Sequence, residues 1–147
     1  ILDEDLNIRV LKNNELKFRY RDSLLKENKK LIVLEVTLEL EHGDILEAKE
    51  LIETRRQRRI STQPLNYPSS GSVFRNPEGM HAGELIEKCN LKGYNINGAE
   101  ISEKHANFII NKDNCNGSDI ISLINLIKDK VKEKYNIDLI LEQEIID

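Results

Sequence analysis

Cysteine, glycine and excess positive charge are all scarce in this chain, and each scarcity excludes something. The two cysteines, Cys89 and Cys115, are too few for the disulfide framework of a small secreted domain, so a reducing cytoplasm is the default compartment. With His42, His81 and His105 they show no zinc-type spacing, and no metal is expected. The seven glycines are scattered, and none forms a Gly-x-Gly-x-x-Gly phosphate loop. No apolar run reaches the ~20 residues of a membrane span, and no signal peptide is visible. The net charge of -4 describes a mildly acidic surface with no general attraction for nucleic acid.

What is present suffices for folding. At 147 residues and 39% hydrophobic content, the chain suits one ordinary domain or two small ones with a core. Residues 6–12 and 15–20 read as short strands around the turn pair Asn13-Asn14. In 31–41, Leu34, Val36, Leu38 and Leu40 alternate with Glu35, Thr37, Glu39 and Glu41, the pattern of a strand buried on one face. Asp44 and Glu47 open a helix through about residue 60 in the manner of a capping box, with Ile45, Ala48, Leu51 and Ile52 as its buried stripe. Its last turns carry Arg55, Arg56, Arg58 and Arg59, which suit the negative end of the helix dipole. Without interleaved aromatics they read as a solvated helix end, with one arginine available to a cofactor or substrate phosphate.

The polar stretch 61–68 reads as a linker and places a domain boundary near residue 62. A short amphipathic helix follows over 80–89, burying Ala82, Leu85, Ile86 and Cys89. Turn signals at Gly93 and Gly98 precede two strands, 99–102 and 107–111. Ser118 caps the longest helix, which runs to Tyr135 with Ile120, Ile124, Ile127, Val131 and Tyr135 on one stripe. A final strand passes through Leu139 and Leu141 toward Glu144. Interspersed strands and helices with short connections give an α+β fold.

One stretch looks like a site. In 67–77, Tyr-Pro-Ser-Ser-Gly-Ser-Val-Phe-Arg-Asn-Pro, prolines bracket a loop whose Gly71 lets the backbone present the Ser72 hydroxyl at close range to a ligand. Alone, a Gly-Ser pair is a common surface turn. Its company is more specific: Phe18-Arg19-Tyr20-Arg21-Asp22-Ser23 upstream, then Ala82-Gly83-Glu84-Leu85-Ile86-Glu87, Leu91-Lys92-Gly93, the run from Gly98 through Ser102-Glu103-Lys104-His105-Ala106-Asn107 to Asn111, and Leu141-Glu142-Gln143-Glu144-Ile145. In that order these blocks resemble the UDP-N-acetylenolpyruvoylglucosamine reductases, flavoenzymes that complete UDP-N-acetylmuramate for peptidoglycan. The resemblance runs over nearly the whole chain.

It implies the carboxy-terminal half of a protein roughly twice this length, of the family's shorter form, with the glycine-rich segments that hold most of the FAD in a missing amino-terminal half. Residues 1–62 would then be the second part of the FAD-binding region, 63–141 the substrate-binding domain, and 142–147 a strand returning to the first region. The implied reaction passes hydride from NADPH through FAD to the enolpyruvyl ether of UDP-N-acetylglucosamine enolpyruvate, leaving an enolate-like carboxylate in need of a proton. By resemblance Ser72 donates it, and Arg21 and Glu144 flank the developing charge. Tyr20, Gln63, Asn76 and His105 fall on substrate-contacting positions.

The residue types suit those roles. A serine hydroxyl is a poor acid in water and serves only when held against a strongly basic carbanion. Arginine offers a fixed planar charge to a carboxylate, and a glutamate kept protonated by burial can donate a hydrogen bond. The family's basic residue two positions after the catalytic glutamate is replaced by Ile146, and Glu142 is a neighbouring alternative to Glu144. A UDP-sugar-binding module without redox chemistry, or a remnant whose serine loop is only a turn, are the competing readings.

Overall fold

The computed structural model describes residues 1–146; Asp147, the end of the closing strand expected over 142–147, lies outside the described residues. The chain divides into two compact units, Ile1–Asp44 and Ile45–Asp147. The helix expected to close the first region is thus grouped with the second unit.

The first unit is built from turns. Leu2 exchanges backbone hydrogen bonds with Ile32 (2.8 and 2.9 Å), and the Asp3 carboxylate accepts the amides of Asp5 and Asn7 (3.1 and 2.9 Å), the local pairing that lets aspartate form a turn. The hairpin expected around Asn13-Asn14 is absent. Asn13–Leu16 is a 3-10 turn, because the Glu15 carboxylate reaches back to the Lys12 amide (2.9 Å) and stabilises helical closure where a strand turn was expected. A single helical turn, α1 (Leu24–Glu27), follows. The strand expected over 31–41 does not form beyond an isolated bridge at Ile32. Val36 is 67% and Leu40 83% exposed. An alternating strand is stable only against a neighbouring edge and a face to bury, and the described residues supply neither.

The second unit holds the core. It opens with α2 (Ile45–Thr62), whose existence follows its capping signal. Its expected stripe stays exposed, however, with Ile45 at 70% and Ile52 at 66%. The remaining elements are α3 (Ala82–Lys88), β1 (Asn95–Ile96), β2 (Ala99–Ile101), β3 (Ile109–Asn111) and α4 (Gly117–Tyr135). The strands form an antiparallel sheet in the order β1-β2-β3, and α4 lies across it beside α3. Leu123, Ile124, Ile127 and Val131 of α4 are buried with Ile101 of the sheet, Leu85 and Ile86 of α3, and Val73 and Phe74 of the serine stretch.

Two local devices fix this packing. Asn97 and Gly98 both take positive φ (47° and 91°), the two-residue hairpin turn that an Asn-Gly pair favours. A methyl on Gly98 would sit 2.0 Å from the Asp113 carbonyl oxygen. The α4 N-cap is Asn116, two residues before the expected Ser118, because Asp119 accepts the Asn116 amide (2.9 Å). The same carboxylate accepts from Asn97 Nδ2 (3.0 Å), tying the hairpin turn to the first turn of α4. Those two hydrogen bonds, Asn97 first, hold the Asp119 carboxyl below its ordinary range. Cys89 packs against the core, donates weakly to the Lys130 carbonyl (3.7 Å), and has its thiol pushed up by burial, as expected of a core residue rather than a nucleophile.

Ile127→Ala is expected to cost about 2–5 kcal/mol in the urea unfolding of the second unit, whereas Val10→Ala, at 91% exposure, changes stability by less than about 0.5 kcal/mol. Equal effects would contradict this core.

Candidate functional site

Ser72 lies on an extended stretch gripped along both edges. On one edge Ser72 bridges Phe108, the Val73 amide donates to the Asn107 carbonyl (2.9 Å), and the Asn107 side chain pairs with both backbone groups of Phe74. Its Oδ1 accepts the Phe74 amide (3.0 Å) and its Nδ2 donates to the Phe74 carbonyl (2.8 Å). A primary amide has the donor and acceptor of a peptide group, so buried Asn107 acts as one residue of a neighbouring strand. On the other edge Phe74 bridges Leu141, the Arg75 amide donates to the Ile140 carbonyl (2.8 Å), and the Glu142 amide donates to the Val73 carbonyl (2.9 Å). Gln143 Nε2 adds a hydrogen bond to the Gly71 carbonyl (3.2 Å).

The serine itself is exposed. Gly71 before it takes φ +82° with open space where a side chain would go, so backbone conformation alone selects glycine there. The expected closing strand does not form: 140–142 pair with 73–75 only around the isolated Phe74–Leu141 bridge, and residues 142–146 form no strand. Glu144 is exposed and lines a cleft of about 500 Å³ with Ser70, Ser118 and Gln143. The structure thus brings the Ser72 and Glu144 segments side by side.

A second group surrounds His105. With Gln63, Arg58, Arg59 and Lys104 it lines an open cleft of about 620 Å³, and Lys104 Nζ also caps the α2 end through the Ile60 carbonyl (2.6 Å). An adjoining cleft of about 610 Å³ joins Gln63 and Tyr67 to the Lys112–Glu100 ion pair (2.7 Å). His105 Nδ1 accepts the Asn107 amide (3.2 Å), so the neutral ring carries its proton on Nε2. Gly83 of α3 approaches this ring so closely that a methyl there would lie 3.3 Å from Cε1. Asn76 serves α3 as well, its Oδ1 accepting the Ala82 amide (3.0 Å) at a helix start whose N-cap, His81, makes no side-chain cap.

Tyr20 and Arg21 belong to the first unit, at the tip of a turn closed by reciprocal Arg19 and Asp22 backbone hydrogen bonds (3.1 Å each). The Arg19 guanidinium holds that turn through Asp22 (3.1 Å) and Glu27. Arg21 takes φ +56°, a conformation uncommon outside glycine that concentrates at functional positions. Sequence reading missed Asn107, although a polar residue inside the apolar run 106–110 has to find partners once buried.

FAD, implied by resemblance, finds no cradle among the described residues. The left-handed glycines 71, 79, 93 and 98 sit in separate turns, and none forms a loop opening a long helix. These residues alone do not make a dinucleotide site. The described residues also hold no cluster of metal-ligating groups, and no helix is long and apolar enough to cross a membrane.

Burial lowers the His105 pKa, outweighing a backbone hydrogen bond that raises it, while the nearby Lys92 and Glu87 charges act in opposite directions. A depressed pKa means the unfolded chain binds more protons, so this contribution is present above the unfolded value and is lost as pH falls through the folded one. The urea midpoint of the second unit should therefore drop more between pH 7.5 and 5.5 in the parent than in His105→Gln. Identical pH slopes would contradict the assignment.

The family model for the carboxy-terminal domain of UDP-N-acetylenolpyruvoylglucosamine reductase matches residues 63–146. The chain is 49% identical over 146 residues to the reductase of Caldanaerobacter subterraneus subsp. tengcongensis, covering 99% of this chain and 48% of that protein. It is 46% identical, with the same coverage, to reductase 1 of Bacillus cereus. The crystal structure of the Thermus caldophilus enzyme superposes with a TM-score of 0.71 at 32% identity, covering 89% of this chain and 46% of that one. The chain thus spans about half the length of the curated relatives it matches. On the match over 63–146 and a likeness that runs the length of the chain, it belongs to the UDP-N-acetylenolpyruvoylglucosamine reductase family, whose carboxy-terminal domain it carries.

Proposed function

We propose that this chain is the carboxy-terminal part of a reductase that converts UDP-N-acetylglucosamine enolpyruvate to UDP-N-acetylmuramate in the cytoplasm, for peptidoglycan synthesis, with FAD as cofactor and NADPH as reductant. The flavin supplies hydride chemistry and is held by the missing amino-terminal half. The observation that carries the reading is the exposed Ser72 on a stretch fixed at both edges, beside the segment bearing Glu144.

In this reading Ser72 Oγ–H gives its proton to the carbon next to the substrate carboxylate as the enolate collapses. Fixing the backbone at Gly71, Val73, Phe74 and Arg75 removes the freedom that would let the hydroxyl drift from that carbon. Arg21 holds the carboxylate and the negative charge delocalised onto it. Glu144 lines the cleft beside the serine stretch and flanks the same developing charge. His105, with Nε2–H as its donor, joins Gln63 in contacting substrate, and Arg58, Arg59 or Lys104 beside them meet its phosphates. Tyr20 and Asn76 complete the contacts.

The apolar residues left exposed on 34–40 and on α2 are the surface that the missing half covers. The isolated chain accordingly has little or no activity. Mixed with a separately expressed amino-terminal half, FAD and NADPH, it should oxidise NADPH only when the enolpyruvyl substrate is added. Ser72→Ala in that mixture should cut product formation by at least about 100-fold, the low end of general-acid contributions, while NADPH still reduces the flavin. Substrate binding by the chain with no turnover in the mixture would instead indicate a UDP-sugar-binding module.

A further inference from the structure

We propose that the Arg75–Glu142 ion pair is a positioning clamp that sets Glu144 relative to Ser72. This rests on the reading of Ser72 and Glu144 given above. Arg75 Nε and Glu142 Oε2 face each other at 3.1 Å, and both atoms are sealed from solvent. Each belongs to a segment with a reactive residue close by: Arg75 three residues after Ser72, Glu142 two before Glu144.

The backbone pairing of these segments is short, consisting of the Arg75–Ile140 and Glu142–Val73 hydrogen bonds around the Phe74–Leu141 bridge. The pairing ends at Glu142, and Glu144 lies beyond it in residues that form no strand, so its position depends on how firmly Glu142 is held. The ion pair adds to that hold, because shifting either segment separates Arg75 Nε from Glu142 Oε2, the two atoms of the pair that are sealed from solvent. Gln143, on the Gly71 carbonyl, holds the adjoining position, so residues 142 and 143 are committed to the serine stretch and Glu144 is the next side chain to enter the cleft with Ser70 and Ser118. Glu142 pairs with Arg75, and Glu144 lines the cleft.

The test uses a full-length reductase carrying this carboxy-terminal half, assayed well below its unfolding temperature. Glu142→Gln keeps the shape and removes the charge. It should lower kcat by about 10- to 100-fold with substrate KM changed less than about threefold. In a Glu144→Gln background the same change should add less than about twofold, because a residue acting through Glu144 loses its effect once Glu144 is gone. Arg75→Lys, which keeps the charge, should retain kcat within about fivefold, and Arg75→Gln should match Glu142→Gln. A full effect of Glu142→Gln in the Glu144→Gln background, or a kcat within about twofold of the parent, overturns the clamp while leaving the function standing. A parent enzyme inactive on the enolpyruvyl ether overturns both.

Discussion

The paired backbone groups of Phe74 are the constraint on which the rest of the site depends. An exposed serine on a glycine-preceded loop would ordinarily sample many positions. Here the residue two places on is locked by the Asn107 amide, and the residues flanking Phe74 are locked by the returning tail. Phe74 is itself 2% exposed, so its side chain anchors the stretch in the core while its backbone is held from the side. Core and site are one structure at this point: α4 and the sheet bury Phe74, and Phe74 places Ser72.

The polar groups involved follow a common logic. Asn107, Asp119 and Glu100 are buried polar residues, and each is spent on a specific partner: Phe74, the Asn97 turn, and Lys112. Buried polar groups left without partners would destabilise the fold, so satisfied ones specify a single arrangement. His105 extends the logic outward. Its Nδ1 faces the Asn107 amide, which leaves Nε2–H as the donor for a ligand in the basic cleft. The same imidazole therefore connects the residue that grips the serine stretch to the surface proposed to meet substrate.

Much of the second unit was legible in sequence because its signals are local. The period of Ile124, Ile127 and Val131 gave α4, and the apolar run of β3 and the stripe of α3 were read from the same kind of pattern. The Asn97-Gly98 pair carried a hairpin signal of equal strength that was read only as a turn. Two apolar patterns, one in the first unit and one on α2, were misread for the same reason. Alternation in 34–40 and the stripe on α2 are real patterns, but a pattern yields a buried face only when something covers it, and among the described residues these apolar side chains stay exposed. Arg21, Ser72 and Glu144 were singled out by resemblance, whereas Asn107 and the Arg75–Glu142 pair were not singled out at all. Their roles arise from contacts between residues tens of positions apart, which no periodicity records.

Amide hydrogen exchange at Val73, Phe74 and Arg75 tests the central claim most directly. If the serine stretch is held as described, these amides exchange as slowly as those of Leu123 to Ile127 in α4, and Asn107→Ala speeds Val73 and Phe74 selectively. Exchange at the rate of an exposed loop in the parent chain would contradict the account, because Ser72 would then have no fixed position from which to serve as the proposed proton donor.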